Sequence, residues 1–224
     1  MAEIIPAILE KEWREIENKI NLAKDFSSWV QIDVADGIFT PEKSWNNPFD
    51  LKFHLAAAPP SEKSINFEVD LMVKNPEFVI KDWADAGIKR VAVHIESGDG
   101  MNKAIKIAKD FGVEIGLALN IDTPNEALDE FMPKIDFVQF MGIAKIGFQG
   151  QSFDEKVLYK IKDLRMKHPS AIITIDGGVN IKTIPLLVKA GADRLIAGSA
   201  IFSGKRKPFD NWKELKDLTA DLRD

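Results

Sequence analysis

The chain contains no cysteine among its 224 residues, so disulfides and thiolate-held zinc sites are excluded. A basic block is missing too. Lys and Arg number 30 against 35 Asp and Glu, a net charge of -5, and nucleic acid or an anionic membrane finds nothing to attract it. No long apolar run occurs, and the N-terminal residues soon meet acid at Glu3 and proline at Pro6. Neither a secretory leader nor a membrane-spanning segment is expected, and a cytoplasmic protein is the default. Linkers and low-complexity tracts are absent, which points to one domain over residues 1–224. What the chain does have is core material: 45% of its residues are hydrophobic and 29% charged.

Short apolar, β-branched runs alternate with segments of helical spacing. Strands are predicted at residues 4–9, 29–33, 66–71, 90–94, 114–119, 137–141, 172–175 and 194–197. Helices are predicted at 10–24, 48–57, 101–111, 154–167, 183–190 and 212–222, and after the openings Asn75-Pro76 and Thr123-Pro124. In one internal echo, Ala86-Gly87-Ile88-Lys89-Arg90-Val91 resembles Ala190-Gly191-Ala192-Asp193-Arg194-Leu195, a helix ending at Gly before a strand that starts at Arg. About eight strand–helix units in this length predict an α/β fold, a single (β/α)8 barrel with parallel strands.

In such a barrel the carboxyl ends of the strands share one mouth. That places Gln31, Asp33, Asp70, His94, Asn120, Met141, Asp176 and the pair Gly198-Ser199 together. Three converging aspartates must each be paired, hydrogen-bonded or bound to a metal. Asp33 and Asp176 lie on strands three steps apart around the ring. They could flank a substrate carbon, one removing a proton and the other returning one to the opposite face. The plainer alternative is that Asp33 caps a turn with Asp36 and Gly37, and Asp176 a turn with Gly177. Gly147-Phe148-Gln149-Gly150, Gly177-Gly178 and Gly198-Ser199 fall in the last third of the chain, where barrels often hold phosphate; turn chemistry is the alternative. Met72 and Met141 are core residues or polarizable pocket walls. His54 and His168 read as surface or boundary residues, and His94 as a hydrogen-bonded strand-end residue.

Taken in order, these residues resemble the ribulose-phosphate 3-epimerase family over nearly the whole chain. The matching stretches are Ile5-Pro6-Ala7-Ile8-Leu9, Ile32-Asp33-Val34-Ala35-Asp36-Gly37, Asp70-Leu71-Met72 and Val93-His94-Ile95-Glu96. Further along they are Ala118-Leu119-Asn120, Gly147-Phe148 with Gly150-Gln151-Ser152-Phe153, Asp176-Gly177-Gly178-Val179-Asn180 and Ala197-Gly198-Ser199-Ala200. The resemblance implies a barrel of the ribulose-phosphate-binding type. It implies an isomerase that interconverts D-ribulose 5-phosphate and D-xylulose 5-phosphate at C3 through an enediolate, with Asp33 and Asp176 as acid and base. A phosphorylated small sugar would be its partner, and a homo-oligomer is expected.

The departures concern the metal. In the family two histidines and the two catalytic aspartates hold a divalent ion. The histidine positions here are Gln31 and Asp70, so the remaining set is Gln31, Asp33, Asp70 and Asp176. Magnesium or manganese suits an all-oxygen set better than zinc does. Alternatively no metal binds, and Lys145, in a loop one residue longer than the family's, supplies the positive charge or pairs with Asp70. No organic cofactor is implied. The family's serine after Pro6 is Ala7, and a methionine of its site is Ala35. Two further functions stay open: carbon–carbon lyase or synthase chemistry, or epimerisation, on another ketose phosphate, and a non-catalytic phosphosugar-binding barrel.

Overall fold

Eight parallel strands close on themselves in chain order in the computed structural model, which describes residues 1–59 and 65–220. They are β1 (Glu3–Ile8), β2 (Trp29–Ala35), β3 (Asn66–Met72), β4 (Arg90–His94), β5 (Glu114–Leu119), β6 (Phe137–Met141), β7 (Ile173–Asp176) and β8 (Arg194–Ala197). Closure is the β8–β1 pairing, running from Glu3 beside Arg194 to Pro6 beside Ala197. Strands of such a barrel meet helices outside and each other's side chains inside, which is why they are apolar on both faces. Ile32, Val34, Val91, Val93, Ile115, Leu117, Ile173 and Ile175 are wholly buried.

The helices follow from spacing and caps. They are α1 (Trp13–Ala23), α2 (Pro48–Ala57), α3 (Ile80–Asp85), α4 (Met101–Asp110), α5 (Lys156–Lys167), α6 (Ile184–Ala190), α7 (Ser199–Phe202) and α8 (Pro208–Ala220). On α4, Met101, Ala104, Ile105 and Ala108 are buried, one stripe at helical spacing. Asn47 caps α2 by accepting from the Phe49 N–H, and Pro48 fills the first turn. α6 ends where Gly191 turns left-handed, φ 112.

Two predicted helix openings behave differently. Asn75 caps nothing: it is itself left-handed, φ 53, and a 3₁₀ turn (Pro76–Phe78) precedes α3. The Asn75 N–H is committed to the Ser97 carbonyl at 3.0 Å, which fixes the chain there in a turn. After Pro124 only 3₁₀ turns form, Asn125–Leu128 and Met132–Lys134. Pro133 cannot donate to a continuing helix, and the Asn125 side chain is drawn away to the Lys160 carbonyl and Asp163 on α5. The last helix begins at Pro208 rather than 212, and its predicted end at 222 lies outside the described residues.

Candidate active site

Period-two alternation points Gln31 and Asp33 of β2 into the barrel together, and the register sets Asp70 of β3 directly beside Asp33. Asp176 ends β7, level with Met141 of β6. Carboxylate oxygens of Asp33, Asp70 and Asp176 lie within 4.8 Å of one another. The Gln31 carboxamide sits between two of them. Its Nε2 donates to Asp33 Oδ1 at 2.7 Å and to Asp176 Oδ2 at 2.6 Å. Asp70, wholly buried, accepts from Gln139 Nε2 at 3.1 Å on one oxygen and faces His94 Nε2 at 3.2 Å with the other. His94 Nδ1 lies 3.8 Å from Glu96, which in turn accepts from the Asn120 N–H and the Thr123 hydroxyl.

Three carboxylates this close repel one another. Burial first, then the charges of Asp176 and Asp70, push Asp33 well above the usual carboxylate range, and the Gln31 hydrogen bond offsets only part of this. Burial and the Asp70 charge raise Asp176 to about 7. Burial alone would lower His94, yet Asp70 and Glu96 lift it to about 9, so its ring is a cation beside the triad at neutral pH. Chemically, the group is a buried acid–base pair able to hold a proton near neutrality, with a third carboxylate and an imidazolium beside it.

The triad floors a cavity of about 60 Å³ walled by Met72 and Met141. Gly147, Phe148, Gln149 and Gly150 line it, as do Gly177, Gly178, Gly198 and Ser199. Gly177 and Gly178 are consecutive left-handed residues, φ 89 and 72. A methyl group on Gly177 would lie 2.7 Å from Ile143, and one on Gly178 2.9 Å from Phe153. Both must therefore be glycine, and their backbone is held by Thr183 Oγ1 donating to the Gly178 carbonyl at 2.7 Å. No Lys, Arg or His lines this cavity among the described residues.

Most of the residues expected at the mouth are thus together. Lys145 is not: it is exposed, stands outside the cavity lining, and only its carbonyl is engaged, by Gln151 Nε2. Asp70 has His94 and Gln139 for partners instead of a lysine. Gln139 is the residue that sequence reasoning passed over. It is the one polar residue in the buried strand Phe137–Met141 and shares the Met141 face, a pattern that marks an inward polar group. The Asp70–His94–Glu96 chain was also unseen, because Asp70 sits on β3 and the other two residues at and just past the end of β4.

The model of the ribulose-phosphate 3 epimerase family matches residues 3–202. Ribulose-phosphate 3-epimerase of Bacillus subtilis is 32% identical over 208 residues, covering 90% of this chain and 93% of its own. That of Treponema pallidum is 31% identical over 206 residues, covering 90% and 91%. Among solved structures, KGPDC of Streptococcus mutans superposes with a TM-score of 0.76 at 16% identity, covering 99% of this chain and 98% of its own. 3-Hexulose-6-phosphate synthase of Salmonella typhimurium superposes with a TM-score of 0.73 at 16% identity, covering 99% and 100%. At such identities these two share the fold alone.

Proposed function

The chain belongs to the ribulose-phosphate 3-epimerase family, and from that footing we propose that it interconverts D-ribulose 5-phosphate and D-xylulose 5-phosphate at C3. The observation that carries this is the bridged pair: Asp33 and Asp176, from β2 and β7, joined through one Gln31 amide at 2.7 and 2.6 Å. One carboxylate takes the C3 proton, next to the carbonyl, leaving an enediolate. The other, protonated, returns a proton to the opposite face. The reaction needs one member ionised and one protonated; burial and neighbouring carboxylate charge raise both, Asp176 to about 7, and disfavour ionising the two together. The phosphate would lie against the backbone N–H groups of Gly177, Gly178, Gly198 and Ser199, while Met72 and Met141 keep water from the reacting carbon.

The donor set also fits a divalent cation. Three buried carboxylates with oxygens within 4.8 Å of one another are hard donors of the kind magnesium and manganese take. Asp33, Asp70 and Asp176 would hold the ion, and Gln31 would join them by turning its amide oxygen inward. Bound there, the ion supplies Lewis-acid polarisation and neutralises carboxylate charge. Among the described residues no lysine lines the cavity, which weighs against carbon–carbon lyase chemistry, and the intact acid pair weighs against a purely binding role.

Turnover of D-ribulose 5-phosphate in deuterated water, followed by NMR, tests the reading. The native chain should place deuterium at C3 and form D-xylulose 5-phosphate without losing carbon. Asp33→Asn and Asp176→Asn should each slow epimerisation by about 10²–10⁴-fold. If Asp176→Asn turns over like the native chain, the reading is wrong.

A further inference from the structure

The phosphate end of the cavity carries no cation among the described residues, so an anion there is held by neutral donors alone. The backbone of the two left-handed glycines supplies some. Among side chains, Gln151 is already engaged, its Nε2 donating to the Phe148 carbonyl at 3.3 Å and to the Lys145 carbonyl. Gln149 makes no hydrogen bond among the described residues and is seated over Gly198. A methyl group on Gly198 would lie 2.9 Å from Gln149 Nε2 and 3.4 Å from its Cδ, with the Ala7 carbonyl at 3.2 Å. The amide thus occupies the rim of the cradle, against the residue that begins the Gly198-Ser199 pair.

Resting on the phosphosugar reading above, we propose that the Gln149 carboxamide reads the substrate's phosphate, donating its N–H to a phosphate oxygen over Gly198. A neutral donor suits this place. A lysine or arginine here would face three carboxylates on the same cavity floor and be drawn toward them, away from the phosphate. An amide feels no such pull, and it adds a hydrogen bond to an anion, the stronger kind.

Calorimetric titration of the full-length chain with inorganic phosphate and with D-ribulose 5-phosphate tests this assignment. Gln149→Ala should weaken both ligands by about tenfold, the loss of one hydrogen bond to a charged group. Gln149→Glu should weaken them further, since a carboxylate then faces the anion. Gln149 lies in an exposed loop, and circular dichroism checks that each variant is folded. Unchanged affinity in Gln149→Ala would overturn the assignment. Tighter binding would overturn it too, because the amide would then merely fill the cradle. Native protein that binds neither ligand would sink both this assignment and the phosphosugar reading. Native protein that binds phosphate without exchanging C3 would sink the epimerase reading alone.

Discussion

Gln31 places one amide between two carboxylates that repel each other, and so ties the protonation of Asp33 to that of Asp176. The raised pKa values give this coupling a sign. At low pH both aspartates carry protons and no base exists. As pH rises through about 7, Asp176 ionises, and its charge then disfavours ionisation of Asp33, which burial also opposes. In chelator-treated protein, kcat/KM should therefore climb through about pH 7 and decline again once both carboxyls are ionised. Magnesium or manganese favours the ionised forms and should move the climb to lower pH. Profiles measured with and without the ion check this, and a climb near the ordinary aspartate value of about 4 in both would show unperturbed carboxylates. Asp33, Asp70, Asp176 and Gln31 were legible in the sequence because strand alternation and strand ends fix where such side chains point. His94 against Asp70 was not, because a contact between neighbouring strands depends on register, which no single strand reveals. Lys145 misled for the related reason that no periodicity governs the direction of a loop side chain.

Secondary structure carried the same asymmetry. The strands Arg90–His94, Glu114–Leu119, Phe137–Met141 and Arg194–Ala197 were readable to the residue from apolar runs bounded by turns. The stretch after Pro124 was not, since Asn125 gives its side chain to α5 and a tertiary contact overrides the local helix signal. Most sensitive among the joints is the crossing of the β6 and β7 loops. The Gly142 N–H donates to the Asp176 carbonyl at 2.7 Å, and a methyl group on Gly142 would meet the Gly177 carbonyl oxygen at 2.3 Å. Both atoms there are backbone, so nothing flexible can yield. Gly142→Ala should push the Gly177 segment off the cradle and turn Asp176 with it, lowering kcat/KM by about 10²-fold, the scale of a misplacement of about 1 Å. The barrel below rests on other contacts, so the thermal midpoint should fall only by several degrees. Full activity in a folded Gly142→Ala protein would show that the crossing does not position the site.

At the scale of the whole molecule, ring closure brings residues 143 positions apart in sequence, Asp33 and Asp176, onto one amide, since β7, β8, β1 and β2 are consecutive around the barrel. Closure also sets the electrostatics of approach. The chain carries a net charge of -5, its mouth is floored by three carboxylates, and no cation lines the cavity among the described residues. On the proposed reading, a doubly charged sugar phosphate would be held by dipoles and would approach a surface of its own sign. Salt screens the long-range repulsion and leaves short, enclosed hydrogen bonds nearly untouched. Raising sodium chloride from about 0.1 to about 1 M shrinks the screening length from about 10 to about 3 Å, so KM for D-ribulose 5-phosphate should hold level or fall. A cradle built on Lys or Arg would give the opposite trend, because screening weakens attraction. Steady-state kinetics across that range, in a buffer free of phosphate and sulfate, decides between them. A several-fold rise in KM would place a cation on the phosphate, and Lys145, exposed on the same loop as Gln149, would be the first side chain to replace.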